Sequence, residues 1–233
     1  DDAGLVDEDS TLIGNVLAND SDLDSINGSS PDNHFSLTID INPILDVQNG
    51  ELDIESDGSF IYTPDANFYG IDYFEYRLFD AAGGYDDGSV EIVVNGVNDG
   101  PILTVPNDKF TNEDDSLYIS GFFIEDIDIE QSDMKMDINV DNSFLSLSSG
   151  IDGLTFISGD GDFDDELSFT GTKANILIAM SEITFIPEDN FNGEVTVDVS
   201  ISDLGGNGSG GLLVDTKSFL VTVQGINDPP FIN

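Results

Sequence analysis

Hydrophobic and polar residues alternate with a period of two along several stretches of the chain. The clearest is "EVTVDVSIS" (194–202), in which valine or isoleucine occupies every second position, and "YFEYRLF" (73–79) shows a similar alternation. Successive side chains of a strand point to opposite faces, so this pattern predicts strands with one buried face. The aliphatic stretches 90–94 and 219–223 predict strands that are buried on both faces.

Turn signals separate these stretches at intervals of about ten residues. In residues 51–64, two alternating runs flank Asp57-Gly58, a pair that favours a tight hairpin because glycine accepts a positive φ. Residues 173–180 are the exception, and their pattern is compatible with a short helical turn or with an irregular crossover. Many short strands joined by turns predict an all-β fold of the antiparallel sandwich class.

Two motifs occur twice in the chain. They are "TPDANFYG" at 63–70 with "IPEDNFNG" at 186–193, and "VNDGP" at 97–101 with "INDPP" at 226–230. Internal repeats of this length indicate tandem copies of one domain. We therefore expect two β-sandwich domains, residues 1–100 and residues 101–233, with extra sequence in the second copy between about 140 and 178.

The charge of the chain is strongly acidic. There are 48 aspartates and glutamates against five lysines and arginines, which gives a formal net charge of −43. Such a charge repels nucleic acid and anionic lipid, so cations are the expected partners. Adaptation to a saline habitat is the alternative explanation. The sequence has no cysteine, no apolar run long enough for a membrane span and no signal-like start, so we expect no membrane insertion.

Strand length allows the acidic residues to be assigned to the ends, or poles, of each copy. A strand rises about 3.3 Å per residue, so about ten residues carry the chain from one pole to the other. Counting strands predicts four groups: Asp20, Asp22 and Asp80 at the leading pole of the first copy; Glu8, Asp65, Asn67, Asn98 and Asp99 at its trailing pole; Asp126, Asp128 and Asp203 at the leading pole of the second copy; and Glu113, Glu188, Asn190, Asn227 and Asp228 at its trailing pole.

The trailing pole of the first copy is expected to face the leading pole of the second across the "VNDGP" linker. The residues expected to converge at this junction are Glu8, Asp65, Asn67, Asn98, Asp99, Asp126, Asp128 and Asp203. So many carboxylates require a compensating cation, and Ca²⁺ prefers six to eight oxygen ligands of this kind. The absence of cysteine and the single histidine argue against zinc or copper. The competing interpretation is that each acid is a solvated turn residue.

A second, separate ion site is an open hypothesis for the loop "DGDFDDE" (160–166). Asp160, Asp162 and Asp164 are its candidate ligands, and the alternative is an acidic solvated hairpin. An EF-hand is rejected because Asp165 stands where that motif needs glycine.

Catalytic constellations find no support in the sequence. One histidine and no cysteine cannot form a convincing nucleophile-base pair, and among 48 acids some pairs lie close by chance. We therefore expect no enzyme activity.

The motifs together resemble a known family. "EDSTL" (8–12), "NDSDLD" (19–24), "TPDANFYG" and "VNDGP" are similar to the bacterial cadherin-like repeats, related to the VCBS class, that run in tandem through giant surface adhesins. The second copy resembles a longer variety from the same proteins. The resemblance implies immunoglobulin-like sandwiches, calcium at the junctions and a position outside a bacterial cell. The short linker implies one or two ions for each junction.

Three hypotheses for the function remain open. The chain is a calcium-stiffened, monomeric spacer whose partners are neighbouring repeats of the same polypeptide, or a calcium-dependent module that binds host or biofilm glycans or peptides, or an accessory module of a secreted polysaccharide-degrading enzyme. Exposure of Phe144, Phe156 and Phe163 would favour ligand recognition, and their burial would favour the spacer.

Overall fold

The computed structural model describes residues 2–21, 37–81, 83–129, 132–147, 150–206, 208–227 and 229. These residues fall into two compact units, one within residues 1–97 and the other within residues 98–233. Within the described residues, no helix is long and apolar enough to cross a lipid bilayer. The prediction of an all-β fold is confirmed.

The first unit is a sandwich of two sheets. Its strands are β1 Asp2–Asp7, β2 Leu12–Asn15, β3 Thr38–Ile39, β4 Gly50–Ile54, β5 Ser59–Pro64, β6 Gly70–Phe79 and β7 Tyr85–Asn95. One sheet has the order β1-β7-β6-β3 and the other has the order β2-β5-β4. The inner faces share one core, in which Phe60 of β5 and Phe74 of β6 meet edge to face at 5.3 Å between ring centroids.

The second unit has more strands than the first, and they form three sheets. Its elements are β8 Ile102–Thr104, β9 Lys109–Asn112, β10 Leu117–Ile119, β11 Phe123–Glu125, β12 Asp133–Val140, β13 Ser143–Leu147, β14 Thr155–Ser158, β15 Glu166–Thr172, α1 Lys173–Ala179, β16 Ile183–Pro187, β17 Gly193–Ser202 and β18 Val214–Gln224. A six-stranded sheet has the order β14-β15-β12-β17-β18-β9, a three-stranded sheet the order β10-β16-β13, and β8 pairs with β11. Large apolar side chains such as Phe169 and Phe185 are fully buried between the layers.

The ambiguous stretch 173–180 forms the short helix α1. Thr172 caps it, because its side chain accepts a hydrogen bond from the backbone N–H of Asn175. Ile176 and Ala179 are buried, so one face of the helix packs into the core of the second unit.

The prediction that residues 90–94 and 219–223 are buried on both faces is wrong. Glu91 is exposed and Val93 is only half-buried, and in the second stretch Leu220 and Thr222 are half-buried. Each sheet has a single inner face, so the outer side chains of these strands lie toward solvent.

In both units a strand near the start pairs in parallel with the last strand. In the first unit β1 pairs with β7, with Asp2 opposite Val90 and Asp7 opposite Asn95. In the second unit β9 pairs in parallel with β18. The two units therefore share the same closing arrangement as well as the same sequence motifs.

Candidate metal site

Glu8 and Glu113, the repeated glutamates of the two units, each bind the backbone of the chain that leaves the unit. Glu8 is 3% exposed, and its Oε1 accepts a hydrogen bond of 2.5 Å from the backbone N–H of Val97. Glu113 is 4% exposed and accepts a hydrogen bond of 2.6 Å from the N–H of Ile226 in the same way. Each glutamate therefore anchors the chain that leaves its unit, and its buried charge is stabilised by this hydrogen bond.

The asparagines of the repeated motif occupy tight turns at the trailing poles. Asn67 and Asn190 have φ values of 59° and 60°, a left-handed conformation that asparagine tolerates. Their backbone N–H groups donate to Asp9 and Asp114, in each case at 3.3 Å. This conformation has a structural reason that involves no ligand.

The remaining trailing-pole candidates lie at the surface. Asp65, Glu188 and Asn227 are exposed, while Asp228 lies outside the described residues. Asp9 and Asp114 were not selected from the sequence, although the paired motifs "EDSTL" and "EDDSL" contain both of them. The repeat itself was therefore the signal that could have found them.

At the leading pole of the first unit, Asp20 and Asp80 line one surface pocket together with Asp86. The hydroxyl of Tyr76 lies 3.2 Å from Oδ2 of Asp2 and 3.4 Å from Oδ2 of Asp20. Burial, followed by these two carboxylates, raises the pKa of Tyr76. Asp20 and Asp80 therefore lie at the same surface pocket, their role as ligands stays a prediction, and Asp22 lies outside the described residues.

The leading pole of the second unit contains the largest connected group of predicted ligands. Asn98 is 5% exposed, and its Nδ2 donates to Oδ2 of Asp203 at 2.5 Å and to the carbonyl oxygen of Gly211 at 2.9 Å. Because Nδ2 faces these two acceptors, the amide oxygen Oδ1 points the other way. Asn98 therefore belongs to the second unit by its contacts, although it was assigned to the first copy from the sequence.

Asp126 and Asp128 lie in one turn, and this turn is hydrogen-bonded to the backbone of Asp99. Oδ1 of Asp126 accepts hydrogen bonds from the backbone N–H groups of Asp128 at 3.0 Å and Ile129 at 3.1 Å. Oδ2 of Asp128 accepts one from the N–H of Asp99 at 2.5 Å. Lys173 donates to the carbonyl oxygen of Asp126 at 3.3 Å, which ties the turn to the start of α1.

Asp203 is held by backbone donors. Its Oδ1 accepts hydrogen bonds of 2.8 Å from the N–H groups of both Gly205 and Leu213. Burial alone would raise the pKa of Asp203, but the N–H groups of Leu213 and Gly205, together with Asn98, outweigh it and lower the pKa. Asp203 is therefore a carboxylate that the fold keeps ionised.

Oδ1 of Asn98 and Oδ2 of Asp126 are buried and accept no hydrogen bond. A buried polar atom without a partner is costly and rare in native proteins. Burial, with smaller effects from the charges of Asp128 and Asp203, also raises the pKa of Asp126. These two oxygens are therefore free to accept a bound ion or a water molecule.

The donor set fits a hard cation such as Ca²⁺, because all of its candidate ligands are carboxylate or amide oxygens. Among the described residues, however, no group of three or more Asp, Glu, His or Cys side chains is arranged as around a bound metal ion. Binding would therefore require the carboxylates of this pole to rearrange toward a common centre.

The loop of Asp160, Asp162 and Asp164 is held by its own hydrogen bonds. Oδ2 of Asp164 accepts from the backbone N–H groups of Asp160 at 3.1 Å, Gly161 at 2.8 Å and Asp162 at 3.1 Å. Oδ1 of Asp162 accepts from the hydroxyl of Ser146 at 3.2 Å. These contacts account for the shape of the loop without an ion.

The three phenylalanines named from the sequence differ in exposure. Phe156 is half-buried and packs on the core residue Phe169, with 5.6 Å between ring centroids. Phe144 is half-buried, and Phe163 is 58% exposed. One aromatic ring of the three is therefore a surface feature.

In each unit a strand near the start pairs in parallel with the last strand, and a buried glutamate accepts a hydrogen bond from the chain that leaves the unit. Residues 1–96 match the model of the family described as bacterial cadherin-like domain. The resemblance inferred from the sequence is confirmed over these residues. No curated protein matches the sequence.

Solved cadherin structures resemble the chain distantly. Human mucin-like protocadherin EC1-2 is 14% identical, with a TM-score of 0.39 over 97% of this chain and 96% of that one. Protocadherin Gamma B2 extracellular cadherin domains 1-5 is 12% identical, with a TM-score of 0.43 over 98% of this chain and 39% of that one. The protocadherin GammaB4 extracellular domain is 14% identical with a TM-score of 0.38; 81% of this chain is covered but only 26% of that one. These scores are too low to transfer any property to this chain.

Proposed function

We propose that this chain is a calcium-binding pair of tandem cadherin-like domains that serves as a spacer in a large extracellular bacterial adhesin. In this role the chain is non-catalytic, and its partners are neighbouring repeats of the same polypeptide. The cadherin-like class of the first unit, which is typical of adhesion modules, supports the proposal. The net charge of −43 supports it as well, since so acidic a chain attracts cations and opposes its own compaction.

The observation that carries the calcium assignment is the pair of buried oxygens in the second unit. Oδ1 of Asn98 and Oδ2 of Asp126 accept no hydrogen bond, and both residues were candidate ligands from the sequence. A bound Ca²⁺ would satisfy both oxygens and offset the repulsion between Asp126 and its neighbouring carboxylates. Metal binding would then contribute directly to the stability of this pole.

Calcium titration by isothermal calorimetry tests the assignment. We expect saturable binding that Mg²⁺ does not reproduce, because Mg²⁺ requires a smaller octahedral shell. Asp99→Asn should weaken binding tenfold or more. Asp198→Asn, which removes an equal charge from an exposed position on β17, should leave it unchanged. Equal isotherms for the two variants would contradict the proposed site.

The contribution of the first unit stays a prediction. From the sequence, Glu8, Asp65 and Asn67 are expected to supply further ligands. Glu8→Gln keeps an acceptor for the N–H of Val97 but removes the charge. If Glu8 is a ligand, this variant weakens calcium binding; if it only anchors the linker, affinity is unchanged while the unit loses stability. Small-angle scattering in calcium and in EGTA tests whether the ion stiffens the pair, which an unchanged maximum dimension would contradict.

Ligand recognition by the second unit is a second candidate function. The observation that favours it is the exposure of Phe163 beside the acidic 160–164 loop. The accessory-module alternative depends on the sequence that flanks this chain.

A further inference from the structure

An aromatic groove lies on the second unit, and its lining includes Glu188, one of the candidate trailing-pole ligands. Its lining residues are Phe144, Phe163, Ile186, Pro187, Glu188 and Asp189. Phe144 on β13 pairs with Ile186 on β16, so the floor of the groove is the outer face of the three-stranded sheet. Two phenylalanine rings form one wall, with 6.1 Å between their centroids and 45° between their planes.

Phe163 has a backbone conformation that is uncommon for a phenylalanine. Its φ is 59°, which is uncommon for a bulky residue, and its side chain is 58% exposed. The hydroxyl of Ser146 accepts a hydrogen bond of 3.0 Å from the Phe163 N–H, which fixes the residue in place. A strained backbone that presents an apolar ring to water offers little to stability, and such outliers often mark functional sites.

The charge of the groove is negative. Glu188 and Asp189 are both exposed, and none of the lining residues is basic. Aromatic faces attract cations through their quadrupole, and nearby carboxylates add a direct Coulomb attraction. The groove therefore complements an organic cation with a flat or apolar body better than it complements a neutral or anionic group.

The first unit contains an arginine in this kind of environment. The guanidinium carbon of Arg77 lies 4.4 Å from the centroid of the Tyr85 ring. Its Nε and Nη2 donate to the two carboxylate oxygens of Asp87 at 2.6 and 2.8 Å. A guanidinium suits this combination because it is planar, stacks on rings and donates two parallel hydrogen bonds.

We infer that the aromatic groove binds an arginine side chain of a basic partner protein. The guanidinium would stack on the rings of Phe144 and Phe163 while it donates hydrogen bonds to Glu188 or Asp189. Arg77 is the one arginine of these 233 residues and is already paired with Asp87, so we expect a partner outside them to supply the bound arginine. This inference does not rest on calcium binding, and either can fail alone.

Peptide titrations followed by NMR of the ¹⁵N-labelled full chain test it, in calcium and again in EGTA, at 150 mM NaCl. The probe is acetyl-Gly-Arg-Gly-Arg-Gly-amide, and its control replaces both arginines with citrulline, which is neutral and of similar shape. We expect saturable shifts of the backbone signals of Phe144, Phe163 and Asp189, and at least tenfold weaker binding of the citrulline peptide.

Three outcomes would overturn the inference. Equal affinity for both peptides would mean that the positive charge is not recognised. Shifts spread over the whole acidic surface would indicate nonspecific attraction. Saturable shifts in the groove with a methyl glycoside, but not with the arginine peptide, would make it a sugar site.

Matched variants distinguish the contribution of the Phe163 ring to peptide binding from that of the carboxylates. Phe163→Asn removes the ring but tolerates the same backbone conformation, so it should lower affinity tenfold or more without loss of the folded spectrum. Its control is Phe110→Ala, which removes a phenylalanine that is 73% exposed on β9. Glu188→Gln with Asp189→Asn should also weaken binding, whereas Glu194→Gln with Asp198→Asn removes the same charge elsewhere and should not.

Discussion

Replacing Asp126 with asparagine should change the stability of the second unit in opposite directions with and without calcium. Without calcium, the substitution removes a charge whose pKa is raised, first by burial and then by Asp128 and Asp203. Asparagine keeps a carbonyl oxygen that can accept the hydrogen bonds which Asp126 now receives from Asp128 and Ile129. With calcium, the same substitution removes a charged ligand from the proposed site.

The expected magnitudes follow from general values. The substitution removes a half-buried charge together with its repulsion by Asp128 and Asp203, and two like charges about 4 Å apart repel by about 1 kcal/mol in water, so the gain without calcium should be about 1 kcal/mol. Calcium at a hundred times its Kd stabilises by about 2.7 kcal/mol, and a site weakened about a hundredfold keeps about 0.4 kcal/mol of this. In calcium the variant should therefore be about 1 kcal/mol less stable than the wild type.

Urea unfolding followed by circular dichroism measures both differences, in calcium and in EGTA. Asp198→Asn is the control, because it removes an exposed charge from β17 and should behave like the wild type in either buffer. A variant that is as stable as the wild type in saturating calcium would refute the assignment of Asp126 as a ligand. A variant that is destabilised in EGTA would refute the argument from its buried charge.

Three further predictions concern the fold. Asp72 is 1% exposed and accepts hydrogen bonds from the N–H groups of Gln48 and Asn49 and from the hydroxyl of Tyr62, so Asp72→Ala should cost about 3–5 kcal/mol in urea unfolding. A cost below 1 kcal/mol would contradict this anchoring role. Burial and the hydrogen bond to Asp72 raise the pKa of Tyr62, so spectrophotometric titration should show this tyrosine ionising at higher pH than exposed tyrosines, and Asp72→Ala should reduce the difference. Asn190 has a φ of 60°, which alanine tolerates less well than asparagine, so Asn190→Ala should lower the stability by about 1 kcal/mol. Asn190→Gly should be nearly neutral, and thermal melting measures both variants.

Local patterns were sufficient to predict most of the fold. The alternation in residues 194–202 became β17, with Val195, Val197 and Val199 buried as expected. Residues 173–180 could not be decided from the sequence, because eight residues give too few turns for a helical period to stand out. The helix is stabilised by the packing of Ile176 into a core that only the tertiary structure creates.

The candidate site was predictable in part. The repeat selected Glu8 and Glu113, and the structure shows that each carries a buried charge bonded to the departing chain. Strand counting grouped Asp126 with Asp203, but no spacing rule reveals which single oxygen lacks a partner. Asp72 was missed although it alternates with Phe74 on the inner face of β6, where a charged residue at an apolar position was itself a signal.

The parallel pairing of the first and last strands also determines how a unit responds to a pull on its two ends. In the first unit the chain enters near Asp2 and leaves near Asn95, at opposite ends of the paired strands β1 and β7. Tension along the chain would slide these strands past each other, so the hydrogen bonds between them are loaded together and do not open one at a time as in a peeled hairpin. A unit closed in this way therefore resists tension applied to its two ends.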